Sequence, residues 1–135
     1  MTTIFQKIID REIPADIIYE DDIVLAFLDI RPINPGHTLI IPKEASVDGT
    51  ETDPETLAHM IKIAQKIGQV QKRILGATGI NYIMNNGEDA GQEVFHTHLH
   101  VIPRHKNDKR FEHAHRCESS EVEMKAVASK IAEAL

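Results

Sequence analysis

The sequence predicts an α+β domain: a five-stranded antiparallel sheet with a short N-terminal helix, a long central helix and a C-terminal helix. Three observations carry this reading. Short β-branched runs come in series, three before and two after one long amphipathic stretch, instead of alternating with helices. The long stretch opens with Thr52-Asp53-Pro54-Glu55, proline at the first helical position of a Thr-x-x-Glu capping box. The run from Val94 to Ile102 alternates with a period of two, which is strand spacing.

Taken in order, Ile4, Phe5, Ile8 and Ile9 fall on one helical face, and the helix they predict runs from Ile4 to Glu12, ending before Pro14. Ile17 to Tyr19 is a short strand. Asp21-Asp22 turns the chain into a second strand, Ile23 to Ile30, which Pro32, Pro35 and Gly36 terminate. His37 to Ile41 is the third strand, closed by Pro42. The central helix carries an apolar stripe at Leu57, Met60, Ile61, Ala64, Ile67 and Ile74 and stops by Gly76 or Gly79. Ile80 to Met84 and Val94 to Pro103 are the last two strands. Ser120-Glu121-Val122-Glu123 is a second capping box, with Met124, Val127, Ile131 and Leu135 lining one face of the helix that follows.

At 135 residues, with 41% hydrophobic and 27% charged residues, the chain reads as one globular domain spanning 1–135. No apolar run approaches the roughly 18 residues a membrane span needs. The N-terminus lacks the layout of a signal peptide, and the single cysteine, Cys117, forms no internal disulfide, so a cytoplasmic location is expected. A net charge of −6 argues against direct nucleic-acid binding but leaves room for a small anionic ligand in a locally positive pocket.

His96, His98 and His100 stand at every second position, so strand geometry projects all three imidazoles from one face, roughly 7 Å apart, with Phe95, Leu99 and Val101 pointing the other way. Imidazole changes charge near neutral pH, and three on one face imply nucleophilic, acid–base or metal-ligating chemistry; a merely solvated face is the bland alternative. A zinc bound by three imidazoles and a water is the main rival to a nucleophile. The preceding loop, Asn85 to Glu93, holds two asparagines and two glycines that permit positive φ, so its amides suit an oxyanion, although Asn-Asn-Gly is also an ordinary turn. His37 alone reads as a hydrogen-bonded structural histidine, and His59 as structural or at a dimer contact. Arg104, Lys106, Lys109, Arg110 and Arg116 read as a solvated connector or as a positive rim. His113-Ala114-His115 invites a second metal site, without a strand pattern to support it.

Gly91-Gln92-x-Val94-x-His96-x-His98-x-His100-x-Ile102-Pro103-Arg104 resembles the signature of the histidine triad (HIT) family, and the blocks from Ile4 to Lys43 resemble its nucleotide-binding branch. Ile13-Pro14-Ala15, Ala26-Phe27-Leu28-Asp29-Ile30 and Asn34-Pro35-Gly36-His37 resemble its earlier blocks in order and spacing. The resemblance covers residues 3–104 and leaves 105–135 as a C-terminal extension. It implies a homodimer that hydrolyses purine nucleoside phosphoramidates or related conjugates at the α-phosphorus, without a cofactor. Dinucleoside polyphosphate hydrolysis and a nucleotide-binding scaffold with little catalysis are the alternatives. By position, it makes His98 the nucleophile, His100 a phosphate or leaving-group contact, and His96 and His37 orienting groups. It assigns Asn85, Gly91, Gln92, Glu93 and Val94 to phosphate binding, Asp29 to the ribose, and Phe5, Ile8, Phe27 and Ile30 to the base; core packing is the competing role for those four. Thr97 replaces an apolar residue, with little effect expected. Glu93 replaces a hydroxyl residue, so its backbone N–H is the useful part. Thr3, Gln6 and Ala45 stand where many members hold a structural zinc, so no zinc is expected.

Overall fold

The computed structural model describes residues 2–111 and 115–135, so His113 lies outside the described residues. The five strands are β1 (Ile17–Glu20), β2 (Val24–Leu28), β3 (Thr38–Pro42), β4 (Gly79–Ile83) and β5 (Leu99–Arg104), and the helices α1 (Ile4–Ile9), α2 (Pro54–Leu75) and α3 (Glu121–Ala134). The sheet order is β1-β2-β3-β5-β4 and every neighbouring pair is antiparallel, as the sequence predicts.

Strand alternation divides the sheet into two apolar faces. Val24, Ala26, Ile40, Leu99 and Val101 meet Met60, Ile63, Ala64 and Ile67 of α2. Leu25, Phe27, Leu39 and Ile41 meet Phe5 and Ile8 of α1 on the opposite face. Phe27 pairs with Leu39 and Leu39 with His100, so His100 opens on the α1 side of the sheet. The functional residues therefore lie on the face that α2 leaves free.

Several boundaries differ from expectation for identifiable reasons. α1 ends at Ile9, capped at Asp10, three residues short of the predicted end; Arg11 follows at φ 60°. Asp53, not Thr52, caps α2 by accepting from the Glu55 amide. Thr52 is turned inward instead, to Ser46 and Thr97. The buried stripe of α2 is Met60, Ile63, Ala64, Ile67, Gly68 and Gln71, whereas Ile61 and Ile74 are exposed. Polar Gln71 is tolerated there because its amide donates to the carbonyls of Gly36 and Val101. Gly68 lets Tyr82 pack closely on α2, since an added Cβ would lie 2.7 Å from the Tyr82 hydroxyl oxygen and displace that ring. Gly76 ends α2 in the left-handed conformation.

α3 begins as predicted, with the Ser120 hydroxyl accepting from the Glu123 amide. Its apolar residues are all exposed, Met124, Val127 and Ile131 included. Among the described residues, no helix is long and apolar enough to cross a membrane.

Candidate active site

The histidine segment departs from the predicted strand in an informative way. β5 begins only at Leu99, so His100 sits in the sheet while His96 and His98 lie in an extended segment outside any ladder. Phe95 is exposed and packs in no core, contrary to the alternation argument. The rings of His98 and His100 are 5.1 Å apart between centroids, closer than the roughly 7 Å of strand spacing.

Side-chain and backbone acceptors fix the protonation of each ring. A carbonyl only accepts, so the His98 Nδ1–H donates to the His96 carbonyl at 2.7 Å and leaves the His98 Nε2 lone pair free. His96 likewise donates from Nε2 to the Pro42 carbonyl at 2.9 Å. The Ile33 amide donates to His37 Nδ1 at 3.1 Å, so the neutral His37 carries its proton on Nε2. That proton lies on the 2.9 Å contact to His100 Nδ1, so His100 carries its own N–H on Nε2. The Asp29 carboxylate is 3.7 Å from His37 Nε2. One relay thus ends in a lone pair on His98 and another in a donor on His100.

Burial keeps these imidazoles neutral. His37, His96, His98 and His100 all have pKa values below the usual histidine value, chiefly through loss of solvent. His100 falls furthest, to about 4, as His98 and His37 add repulsion to burial. Asp29 pulls in the opposite direction on His37, His98 and His100.

The rings are held by contacts the sequence reading missed. Phe5, only 7% exposed, offers edge-to-face contacts to His98 at 5.0 Å and His96 at 6.0 Å between centroids. Thr97, expected to matter little, is buried in a triangle of hydroxyls with Ser46 and Thr52, each pair within 2.9 Å. Its amide also donates to the Ser46 carbonyl. Threonine at an otherwise apolar position was the single available signal; its partners lie 51 and 45 residues away.

The loop before the histidines is more self-contained than a bare anion cradle. Gly87 and Gly91 take positive φ, as expected. The amides of Ala90 and Gln92 donate to the Gly87 carbonyl, and the Gly91 amide to that of Glu88, so these three N–H groups are engaged within the loop. The buried Gln92 side chain accepts from the Gly87 amide and donates to the carbonyls of Val47 and Val94, so it holds the loop closed. Among the described residues, the N–H groups of Glu93 and Val94 have no protein acceptor. Glu93 itself is exposed, and Asn85 lies half-buried beside Gly91. Phe5, Ile8 and Phe27 are buried in the core and offer little surface to a base, whereas Ile30 is 86% exposed beside Asp29.

Two metal readings can be tested on the donors. His96 and His98 each engage a carbonyl, and the described residues that do draw ligand atoms within 4.8 Å are Asp29, His37 and His100. Between His37 and His100 the 2.9 Å contact is bridged by a proton, which leaves no pair of free lone pairs for a cation. Thr3, Gln6 and Ala45 surround a pocket of about 290 Å³ beside His96, whose Nδ1 has no partner. One imidazole nitrogen, a hydroxyl and an amide, with no thiolate, do not fit a tetrahedral structural zinc.

His59 donates to Asp21 at 2.6 Å, which gives it a structural role. Arg104 is drawn away from any positive rim: it pairs with Asp108, donates to Asn81 and stacks over Phe111 at 4.6 Å.

The HIT domain profile matches residues 10–107. An uncharacterized HIT-like protein of Borreliella burgdorferi is 52% identical over 107 residues, 78% of this chain and 77% of that protein. Adenylylsulfatase HINT3 of Arabidopsis thaliana is 42% identical over 78% of this chain and 53% of its own length. The crystal structure of a HIT family protein from Bacillus anthracis superposes with a TM-score of 0.90 at 40% identity, covering 98% of this chain and 96% of that one.

Proposed function

Since the chain belongs to the HIT-domain family, we propose that it is a nucleotide hydrolase acting at the α-phosphorus of nucleoside 5′-phosphoramidates or related nucleotide conjugates. The observation that carries this reading is the pair of opposed protonation states: a free lone pair on His98 Nε2 next to an N–H on His100 Nε2. A nucleophile and a hydrogen-bond donor are what displacement at a phosphorus centre needs from a protein.

In the proposed reaction His98 Nε2 attacks the α-phosphorus while the bond from phosphorus to the leaving nitrogen or oxygen breaks. The leaving group departs with the electron pair, its charge met by the His100 N–H, and takes a proton from solvent. Positive charge on the nucleotidyl-imidazole is shared through Nδ1–H with the His96 carbonyl. Water then attacks phosphorus, breaks the P–N bond, and releases the nucleoside monophosphate and a proton. The Ile33 amide, through His37, fixes the tautomer of His100, and the amides of Glu93 and Val94 are the free backbone donors for phosphate oxygens. Asp29 lies at the rim, 22% exposed at its side chain, where a carboxylate accepts the ribose hydroxyls.

The named activity of the Arabidopsis relative places adenylyl sulfate, a conjugate of the same α-phosphorus, in the substrate panel. The test is a comparison of turnover on adenosine 5′-phosphoramidate, adenylyl sulfate and a diadenosine polyphosphate, with chelator present. The expected outcome is preferred cleavage of one of the first two to AMP. Preference for the polyphosphate would overturn the substrate assignment, and tight nucleotide binding without turnover would favour a scaffold. A cytoplasmic homodimer is the setting this reading takes for the protein.

A further inference from the structure

Two apolar surfaces of this chain lack a partner, and they match in length and character. The first is the face of α3 bearing Met124, Val127 and Ile131; every residue of that helix is exposed. The second is an almost wholly apolar groove of about 440 Å³ between α2 and the β1–β2 end of the sheet. Ile18, Ile67, Val70 and Ile74 line it, with Lys66 as its one charged residue. We propose that α3 is exchanged between two copies of this chain, seating its apolar face in the α2–β1 groove of the other copy.

Three features support that occupant. An isolated helix of 14 residues is marginal in water, so α3 needs a tertiary partner, which the described residues of its own chain do not provide. The α2 wall of the groove runs from Ile63 to Leu75, about 18 Å at 1.5 Å per residue, against about 21 Å for α3. Glu123 borders the apolar face of α3, a charge complementary to Lys66 of the groove.

The connector is compatible with exchange. Asp108 and Arg110 tie it to Asn34, and Arg104 stacks on Phe111, so the strap is anchored to its own body as far as residue 111. The nine residues from there to Ser120 span at most about 30 Å when extended. A two-fold exchange makes each contact twice, so modest helix docking is doubled in the dimer. The inference is independent of the chemistry proposed above.

The test uses the full chain. In sedimentation velocity at micromolar concentration the wild-type protein is expected to be a dimer. Val127→Asp with Ile131→Asp on α3, and separately Ile74→Asp on the groove wall, are each expected to raise the dimer Kd at least tenfold, with a loss of helical circular dichroism no larger than the 14 residues of α3 account for. In a Cys117→Ser background, cysteine pairs combining positions 127 or 131 with 70 or 74 are expected to yield disulfide-linked dimers on oxidation. A monomeric wild-type chain, or a Kd unmoved by both sets of aspartates, would overturn the proposal. So would cross-links confined within single chains, which would seat α3 in its own groove, or no cross-link in any pair.

Discussion

Replacing Phe5 separates two roles for its ring, packing on the histidines and walling the base. Phe5 is 7% exposed, and its ring meets Phe27, His96 and His98 edge-to-face at centroid distances of 5.6, 6.0 and 5.0 Å. A buried phenylalanine removes about 150–250 Å² from water, worth about 4–6 kcal/mol at ~25 cal/mol per Å². Residual burial in the unfolded chain trims that to about 3–5 kcal/mol, the range typical of Phe→Ala in a core. Phe5→Ala therefore removes a large part of the about 5–15 kcal/mol that holds a domain together. Phe5→Leu keeps most of the volume and is expected to cost about 1–1.5 kcal/mol in urea unfolding followed by far-UV circular dichroism, with an unchanged m-value. It also removes the contact with His98. An aromatic pair is worth about 0.5–1.5 kcal/mol, so kcat is expected to fall by up to about tenfold with KM nearly unchanged. Wild-type stability in Phe5→Leu, or a raised KM with unchanged kcat, would refute the packing role and return Phe5 to the base wall.

Four further outcomes follow from the site. All four site histidines have pKa values held below 6.5 by burial, so protonation of His98 removes the nucleophile only in acid; kcat/KM is expected to lose activity with an apparent pKa below 6.5. The same histidines favour the unfolded state once it protonates, so stability holds above pH 6.5 and declines as pH falls toward the folded values, about 4 for His100; urea midpoints at pH 7.5 and 5.0 check the sign. Thr97→Val leaves the half-buried Ser46 and buried Thr52 hydroxyls short of a partner and is expected to cost about 1–3 kcal/mol, while Thr97→Ser costs less; equal losses would dismiss the hydroxyl triangle. His37→Ala frees His100 to change tautomer and is expected to lower kcat at least tenfold with little change in nucleoside monophosphate affinity; an equal rise in its Kd would instead make His37 a ligand contact.

Much of the architecture is legible because it depends on local periodicity. The sequence pattern marks the first four strands to within two residues and β5 with a start five residues too early, and Ser120 and Gly76 mark the helix ends where they are found. Contacts distant in sequence are not legible. No local pattern tells that Thr52 turns to Thr97 and leaves the α2 cap to Asp53, or that the carbonyls of Gly36 and Val101 make Gln71 a buried residue where Ile74 is exposed. The histidines show the same division. Their spacing announces a site, but it is the Pro42 and His96 carbonyls, the Ile33 amide and His37 that set each tautomer. The glycine loop shows the limit of composition, since positive φ occurs as expected while the Gly91 amide is already engaged at Glu88.

The central claim is that the His98 lone pair attacks phosphorus, and it is tested most directly by trapping the adduct. Wild-type protein mixed with an adenosine phosphoramidate and quenched within milliseconds under alkaline denaturing conditions is expected to carry one adenylyl group, labile in acid, on the peptide containing His98. His98→Ala is expected to form no adduct and to lose several orders of magnitude in kcat, each tenfold corresponding to about 1.4 kcal/mol in the barrier, while binding AMP within about 1 kcal/mol of wild type. An adduct mapped to another residue, or near wild-type turnover by His98→Ala, would contradict the account.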